Sequence, residues 1–331
     1  MKANSWRELL GKCIADPQER QRIANDLGVR PITLMRWANE NFVPRPQNLR
    51  QLLVILPHYR DEFIELIKLE MPDFNADLLE EAIESESAII PGEFYMRVLQ
   101  TRASMPRNLR YSVLSDLILQ QALKHLDPYR SGLGISIARC LPPLAEGPVN
   151  SLLADMGRGN PPWDQNMEHE TMLLGAESLA GYAVISGRLI TISNLHTQDN
   201  RFPASLGAWE KSAVAAPISF EGNYAGSLIV SSAQFDYFSP ARQQLVNNYA
   251  DLIALALNSD QFYPSHRIQL RLLPSQKAQQ TYIAGFRKRV LDILKQPVEG
   301  QEPISVIQAE HLVWQQIEAE LLQLQLAEAS Q

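Results

Sequence analysis

Apolar residues near the start of the chain recur at the spacing of short helices. Residues 20–37 read RQRIANDLGVRPITLMRW, and the apolar positions that fill the angle between two helices are Ile23, Leu27, Val29 and Leu34. Gly28 can adopt the positive φ angle of a tight turn, and Pro31 suits the first turn of a helix, where its missing N–H costs nothing. The small side chain of Ala24 lets two helices cross closely. The pattern therefore predicts a helix-turn-helix whose second helix occupies residues 31–39.

The central part of the chain has a mixed helix and strand pattern. The expected elements are a helix at residues 106–126, a strand at 132–140, two strands within 180–195, a hairpin within 212–232 and a helix at about 238–259. Gly187 marks the turn between the first strand pair, and Gly222 marks the turn of the hairpin. Residues 141–172 are rich in proline and glycine and are interpreted as a long irregular segment.

The last part of the chain has helical periodicity in two pieces. These pieces are residues 276–295 and 305–327, divided by a stretch that contains proline and glycine. Apolar residues recur every seven positions at Ile307, Trp314 and Leu321. Such a stripe is compatible with a short coiled coil or with packing against the central domain, and the sequence leaves both open.

The N-terminal pattern resembles a known family of DNA-binding domains, the Cro and phage-repressor type. The residues that carry the resemblance are Arg20, Ala24, Gly28, Val29, Thr33, Leu34, Arg36 and Trp37. It covers roughly residues 5–57 and implies that the second helix enters the major groove of double-stranded DNA. We therefore expect DNA contacts from Arg30, Pro31, Ile32, Thr33, Met35, Arg36, Asn39, Arg45 and Asn48. For Arg36 the alternative is a surface ion pair with Glu40, four residues further on.

The distribution of charge supports this expectation. Residues 1–60 contain ten Lys or Arg and five Asp or Glu, whereas the whole chain has a net charge of −7. A positive field confined to one segment is what phosphate binding requires. Residues 61–86 carry ten carboxylates and one lysine. We interpret them as an amphipathic helix followed by a solvated linker, with an autoinhibitory mimic of phosphate as the alternative.

The central elements resemble a GAF domain over about residues 105–260. The resemblance rests on Gly175, Leu179, Ala180, Gly181, Ile190, Pro217, Ile218, Gly226, Leu228, Phe238, Ser239 and Leu252. It implies an α+β module that holds a small molecule between a central antiparallel sheet and covering loops. Residues 141–172 are too long for a plain connection, so we expect them to form a lid over that pocket.

The expected pocket lies under this lid and the loop at residues 196–209. The candidate ligand contacts are Trp163, Tyr182, Asn194, His196, Arg201, Trp209 and Ser212. Arg201 could orient an anionic ligand, and His169 or His196 could ligate haem iron, although each is also an ordinary loop residue. We expect reversible binding without a metal. The cofactor and the ligand themselves stay unknown.

Cysteine content and hydropathy limit the remaining classes of function. The chain has two cysteines, Cys13 and Cys140, and they have neither disulfide nor zinc spacing. A GAF methionine-sulfoxide reductase would need several cysteines, whereas Cys140 is alone in its region, so we expect no enzymatic activity. No apolar run reaches the length of a membrane span, and no secretory signal is present, so we expect a cytoplasmic protein.

Together these patterns predict a multidomain chain. The expected parts are an all-α helix-turn-helix domain at residues 1–60, an acidic helical linker at 61–104, an α+β GAF domain at 105–262 and a helical C-terminal region at 263–331. We expect a homodimeric transcriptional regulator in which a small molecule repositions two DNA-binding domains. The alternative is an interaction adaptor whose GAF domain only dimerises and binds no ligand.

Overall fold

The computed structural model divides the chain into two compact units, Met1–Ile89 and Ile90–Gln331. The residues that the structure describes are 3–39, 42–56, 59–70, 89–128, 130–143, 147–167, 171–196, 209–295 and 304–328.

The first unit is helical. Its described helices are α1 (Trp6–Cys13), α2 (Pro17–Asp26), α3 (Pro31–Asn39), α4 (Pro46–Ile55) and α5 (Arg60–Glu70). Local capping explains where the first two begin. The hydroxyl of Ser5 accepts a hydrogen bond from the N–H of Glu8, and the carboxylate of Asp16 accepts one from the N–H of Gln18. Each cap satisfies an N–H group that the helix itself leaves without a partner.

One hydrophobic core joins all five of these helices. Trp6, Leu34 and Leu52 are fully buried in it, and so are Phe63 and Ile67 from α5. Each such side chain contributes about 2 kcal/mol through the apolar surface that it removes from water. The amphipathic helix expected after residue 60 therefore belongs to this core, and the first unit continues beyond that position. Of the rest of the predicted linker, residues 71–88 lie outside the described residues, and Gly92–Ser104 is a helix of the second unit.

The second unit combines a sheet with helices. Its described helices are α6 (Gly92–Ser104), α7 (Arg107–Leu126), α8 (Leu179–Ser186), α9 (Pro240–Ala254), α10 (Gln276–Ile283), α11 (Phe286–Lys295) and α12 (Val306–Glu328). Its described strands are β1 (Leu133–Cys140), β2 (Leu152–Gly159), β3 (Met172–Leu174), β4 (Ile190–Ile192), β5 (Ser212–Phe220) and β6 (Asn223–Ser232).

These strands form an antiparallel sheet in the order β3-β2-β1-β6-β5-β4. The alternation of side chains along each strand separates two faces. One face, which we call the helix face, carries Arg139 and Leu153 and packs against α7, α9 and α12. The other face carries Ala138 and Ala215 and packs against α8. The hairpin between β5 and β6 turns as predicted, with positive φ at Glu221 and Gly222.

The prediction of two strands within residues 180–195 is wrong for the first of them. The structure has a helix there, α8, followed by the short strand β4. Ser178 caps the helix by accepting a hydrogen bond from the N–H of Gly181, and Gly187 ends it with φ of 62°. The helix is apolar nearly all round because it is packed on the sheet, and such a run cannot be told from a buried strand by its periodicity.

The lid expected at residues 141–172 is also corrected. This segment contains β2, which lies between β1 and β3 inside the sheet. It pairs with β1 from Leu152 to Gly159, with a register shift opposite Ile137 and Ala138. Its glycines and the charged residues Asp155 and Arg158 obscure the usual strand signal.

The C-terminal helix packs against the sheet, which decides between the two sequence interpretations for this chain. Trp314, Ile317 and Leu321 of α12 share a core with Leu153 of β2 and Leu173 of β3. Two members of the predicted heptad stripe are therefore buried inside the unit, while Ile307 is 50% exposed. The predicted helix at 276–295 is divided into α10 and α11 next to Gly285.

Candidate functional site

The turn between α2 and α3 is short and tight. Gly28 has φ of 66°, and the N–H of Val29 donates to the carbonyl of Ala24 at 3.0 Å. Ala24 and Ile23 are fully buried at the crossing, as is Leu34 of α3. Trp37 lies 2% exposed one turn later and anchors α3 to α1. The buried side of α3 is thus firmly held, which orients its opposite side toward solvent.

The exposed side of α3 carries the residues expected to contact DNA. Ile32 is 52% exposed and Met35 is 37% exposed. Arg30, Arg36, Asn39 and Arg45 are exposed, and Pro31, Thr33 and Asn48 are partly buried. The structure therefore brings most of this set onto one open surface. The alternative partner of Arg36, Glu40, lies outside the described residues.

The basic residues of the first unit differ in how their charge is used. Arg22 on α2 forms ion pairs with Glu19 at 2.8 Å and Asp26 at 3.1 Å. Arg7 donates to the carbonyls of Trp37 and Phe42 and so holds the chain after α3. Arg30, Arg36 and Arg45 differ from these two. Among the described residues, no carboxylate pairs with these three arginines.

The face of the sheet that carries α8 is lined by small residues near β1 and β2. A Cβ on Gly134 would lie 2.8 Å from Cδ1 of Trp163, and one on Gly157 would lie 3.1 Å from Cβ of Met167. Trp163 and Met167 are themselves buried. These glycines therefore make room for two large side chains that lie directly on the strands, and Trp163 fills space in this part of the face.

A second group of the expected ligand contacts meets near the start of β5. The N–H of Leu195 donates to the carbonyl of Lys211 at 2.8 Å, which brings Asn194 and His196 beside Trp209 and Ser212. His196 packs edge-on against Phe235, with ring centroids 5.7 Å apart. Trp209 is exposed, whereas the hydroxyl of Ser212 is buried and donates to the carbonyl of Gln234.

The expected ligand set is not gathered into one pocket among the described residues. Trp163 lies over β1 and β2, while the group around His196 lies at the β4–β5 side, with β6 between them. Tyr182 is exposed on α8. Arg201, His169 and the loop after His196 lie outside the described residues.

A partly buried charged cluster on the helix face was missed by the sequence analysis. Arg139 of β1 forms an ion pair with Asp155 of β2, and the hydroxyl of Tyr111 donates to the same carboxylate at 3.1 Å. The guanidinium of Arg139 lies 4.2 Å from the centre of the Tyr111 ring. Burial lowers the pKa of Arg139, but its interactions with Tyr111 and Asp155 outweigh burial and raise it overall.

His311 of α12 lies in the same electrostatic environment. Burial and the nearby Arg139 lower its pKa, while Glu310 and Asp155 act in the opposite direction. The cluster therefore holds a charged arginine and favours a neutral imidazole. Its residues are far apart in sequence, and their contacts join three elements of the second unit. We interpret the cluster as a support of the fold rather than as a binding site.

The cysteine thiols are protonated at neutral pH. Burial raises the pKa of Cys140 to about 12, and burial together with Glu62 and Glu19 raises the pKa of Cys13 to about 11. No group of three His, Cys, Asp or Glu side chains arranged to hold a metal ion occurs among the described residues. Within the same residues, no helix is long and apolar enough to cross a membrane.

Comparison with known proteins identifies the central fold. Residues 112–257 match the family model of the GAF domain. A similar solved structure is the GAF domain from Acinetobacter phosphoenolpyruvate-protein phosphotransferase, with 16% identity and a TM-score of 0.37, which covers 50% of this chain and 90% of that chain. Another is the GAF-B domain of DevS from Mycobacterium smegmatis, with 14% identity, a TM-score of 0.31 and coverage of 44% and 91%. None of the curated proteins matches the chain.

One comparison corrects the expectation that the chain is not an enzyme. A type II free methionine-R-sulfoxide reductase from Thermoplasma acidophilum is also similar, with 16% identity, a TM-score of 0.35 and coverage of 47% of this chain and 99% of that chain. This finding overturns the expectation of no enzymatic activity, which was made from the lone Cys140. At this identity the likeness shows the fold alone.

The family match and the sheet agree on the central part of the second unit. The matched segment begins within α7, contains β1 through β6 and ends just after α9. Residues 112–257 are therefore a GAF domain, a member of a family of ligand-binding sensor domains.

Proposed function

We propose that this chain is a transcriptional regulator that binds double-stranded DNA through its first unit and senses a small molecule through its GAF domain. The observation that carries the proposal is the exposed surface of α3. It combines available arginines with two exposed apolar side chains on a helix whose other side is fixed in a core. That combination suits a helix that enters the major groove.

Each residue type on this surface has a role in the proposed complex. Arg36 lies along α3 and reaches a base edge, where arginine recognises guanine through two hydrogen bonds. Ile32 contacts a thymine methyl group. Arg30 and Arg45 flank the helix and bind phosphate groups, which fixes the position of the unit on the duplex.

Two features support a homodimer: the small size of the first unit and the exposed apolar side chains of the second unit. A lone helix-turn-helix makes few contacts, so specific binding needs two copies on a symmetric operator. The helices α6 and α7 offer a surface for pairing, because they carry the exposed apolar side chains Tyr95, Met96, Leu99, Leu109 and Val113. The stripe on α12 does not serve this purpose, since Trp314 and Leu321 are buried within one chain.

The sensing site is proposed at the β4–β5 side of the GAF domain. The N–H of His196 donates to the side-chain oxygen of Asn194 there, and the ring of His196 packs on Phe235. The exposed ring of Trp209 can pack on a ligand. A ligand that prefers one of two dimer geometries by 2 kcal/mol would change DNA affinity about thirtyfold. A regulator of this kind acts in the cytoplasm.

One observation favours a second candidate, the adaptor whose GAF domain binds no ligand. Trp163 and Met167 occupy the α8 side of β1 and β2, so the chain itself fills that part of the sheet. If the whole face is filled in this way, the domain serves only for assembly. Native mass spectrometry of the purified chain distinguishes the two candidates, because it reports both the stoichiometry and any retained ligand.

The DNA proposal is tested by selection from a randomised duplex library with the full chain. We expect enrichment of a two-fold symmetric site. A variant with Gln at Arg30, Arg36 and Arg45 should lose enrichment, whereas Arg22→Gln should retain it because that charge is already paired with Glu19 and Asp26. Equal enrichment by the triple variant would remove the first unit from the proposal.

A further inference from the structure

A cavity of about 570 Å³ lies in the second unit, away from the α8 side of the sheet. It is bounded by the C-terminal part of α6, the start of α7, the chain that follows α9 and the end of β5. We call it the arginine pocket and define it by Arg102, Arg107, Arg110, Phe220 and Phe262. All of these residues belong to the second unit.

The three arginines are held differently. Arg102 donates to the carbonyl of Leu255 and so caps the last turn of α9. Arg110 reaches the side-chain oxygen of Asn258 at 3.5 Å, while its buried Nε atom has no hydrogen-bond partner among the described residues. Arg107, in the first turn of α7, is exposed. Capping of α9 therefore accounts for Arg102 but leaves Arg107 and Arg110 unexplained.

The charges in the pocket are not balanced by the protein. Asp260 is the carboxylate in its lining, and no ion pair joins it to these arginines in the described part of the chain. Burial lowers the pKa of Arg102, and the charge of Arg110 lowers it further. Like charges in a partly buried cavity repel each other, and an anion relieves that repulsion.

The aromatic residues narrow the class of anion. The rings of Phe220 and Phe262 are 5.8 Å apart at their centres and inclined by 54°. Phe220 is 49% exposed, so its ring is available beside the arginines. An aromatic ring can stack on the flat face of any nucleic-acid base. The guanidinium group of an arginine can bind a phosphate group through two parallel hydrogen bonds. The volume suits a small ligand rather than a macromolecule.

We propose that the arginine pocket binds a mononucleotide, with its phosphate on Arg107 and Arg110 and its base against Phe220 and Phe262. This site is separate from the sensing site around His196, and it does not depend on DNA binding by the first unit. It gives the second unit a ligand whose phosphate and planar ring are recognised by different parts of one cavity.

The test is isothermal titration calorimetry of the full chain at low salt with the four ribonucleoside 5′-monophosphates, inorganic phosphate and adenosine. At least one monophosphate should bind measurably and more tightly than either phosphate or adenosine, because it uses both parts of the pocket. Arg107→Gln and Phe262→Leu should each weaken its binding about tenfold, which corresponds to about 1.4 kcal/mol.

Arg97→Gln is the matched control, because it removes an exposed charge from α6 outside the pocket and should leave the affinity unchanged. Arg107 is exposed, so its variant should keep the melting temperature of the parent chain. The proposal is overturned if no monophosphate binds with a Kd below about 5 mM. It is also overturned if Arg107→Gln and Arg97→Gln bind the monophosphate with equal affinity. Phosphate that binds as tightly as the monophosphate would also overturn it, and so would loss of duplex DNA binding in Arg107→Gln without any mononucleotide binding.

Discussion

The arginines of α3 and the arginine at the centre of the GAF sheet are the same residue type in opposite settings. Arg36 is exposed on a short helix and has no ion pair with a described residue. Arg139 of β1 is partly buried, with Asp155 and Tyr111 around its guanidinium. An arginine whose charge is satisfied internally supports folding, whereas one that is held open can bind an outside anion. Variants at these two places should separate stability from binding.

The largest effect is expected at the buried pair. Asp155→Ala leaves the Arg139 charge without its carboxylate and should reduce the free energy of unfolding by about 3 kcal/mol. Urea denaturation of the full chain measures the loss. The double variant with Met at Arg139 and Leu at Asp155 should recover most of it, because no buried charge remains. DNA affinity measured below the unfolding transition should not change, and a loss of affinity there would contradict the separation.

The next effect is expected on α3. Arg36→Ala should weaken binding to the selected DNA site by about 1–3 kcal/mol while leaving the urea midpoint unchanged. Fluorescence anisotropy with labelled duplex measures the affinity. Arg22→Ala is the control, since its two ion pairs are exposed and contribute little to stability. If the control loses as much affinity as Arg36→Ala, overall charge rather than the position on α3 decides binding.

A smaller and different effect is expected at Arg45, which follows α3 and is exposed. Arg45→Ala should weaken binding to all DNA sequences by a similar factor, because a phosphate contact carries no sequence information. The slope of log affinity against log salt should become shallower by about one unit. A loss confined to the selected site would instead assign Arg45 to a base.

The smallest effect concerns a buried acid that lacks a basic partner in the structure described. Burial raises the pKa of Glu318 above 4.5, although the hydrogen bond from Ser151 opposes this shift. An acid with a raised folded pKa favours the folded chain most at low pH, and this advantage is lost as the pH rises through that value. Glu318→Gln should therefore stabilise the chain at pH 7 more than at pH 4.

Urea midpoints at the two pH values test this expectation. Glu320→Gln on the same helix is the control, because Glu320 is more exposed and already paired with Arg289 at 2.7 Å. That variant should not gain stability at pH 7. A pH-independent effect of Glu318→Gln would show that its charge is well solvated in the folded chain.

Elements with local signals were predictable from the sequence. The bounds of α3 and the hairpin turn depend on Pro31, Gly28 and Gly222, whose conformations are set by neighbours in the chain. The helix α8 was not predictable, because burial on the sheet makes its sequence apolar on most sides. The strand β2 was not predictable either, because it is stabilised by pairing with β1 and β3 and its own sequence has no clear strand pattern.

The candidate sites follow the same rule. The proposed contact surface has a local signal, because Ile32, Met35 and Arg36 lie on one helix, and its role in DNA binding stays a prediction. The arginine pocket could not be predicted, since Arg110 and Asn258 are 148 residues apart and meet only in the finished fold. The three arginines at positions 102, 107 and 110 are close together in the sequence. They line a cavity only because the end of α9 packs beside them in the folded chain.

The packing of α12 on the GAF sheet has a consequence for synthesis of the chain. Leu153 and Leu173 of the sheet are covered by Ile317 and Leu321, which emerge from the ribosome roughly 140 residues after Leu173, or about 7–30 s later at usual rates of translation. During that interval the nascent sheet carries an uncovered apolar face. A product terminated before α12 would keep that face uncovered permanently and would be a target for chaperones and proteases.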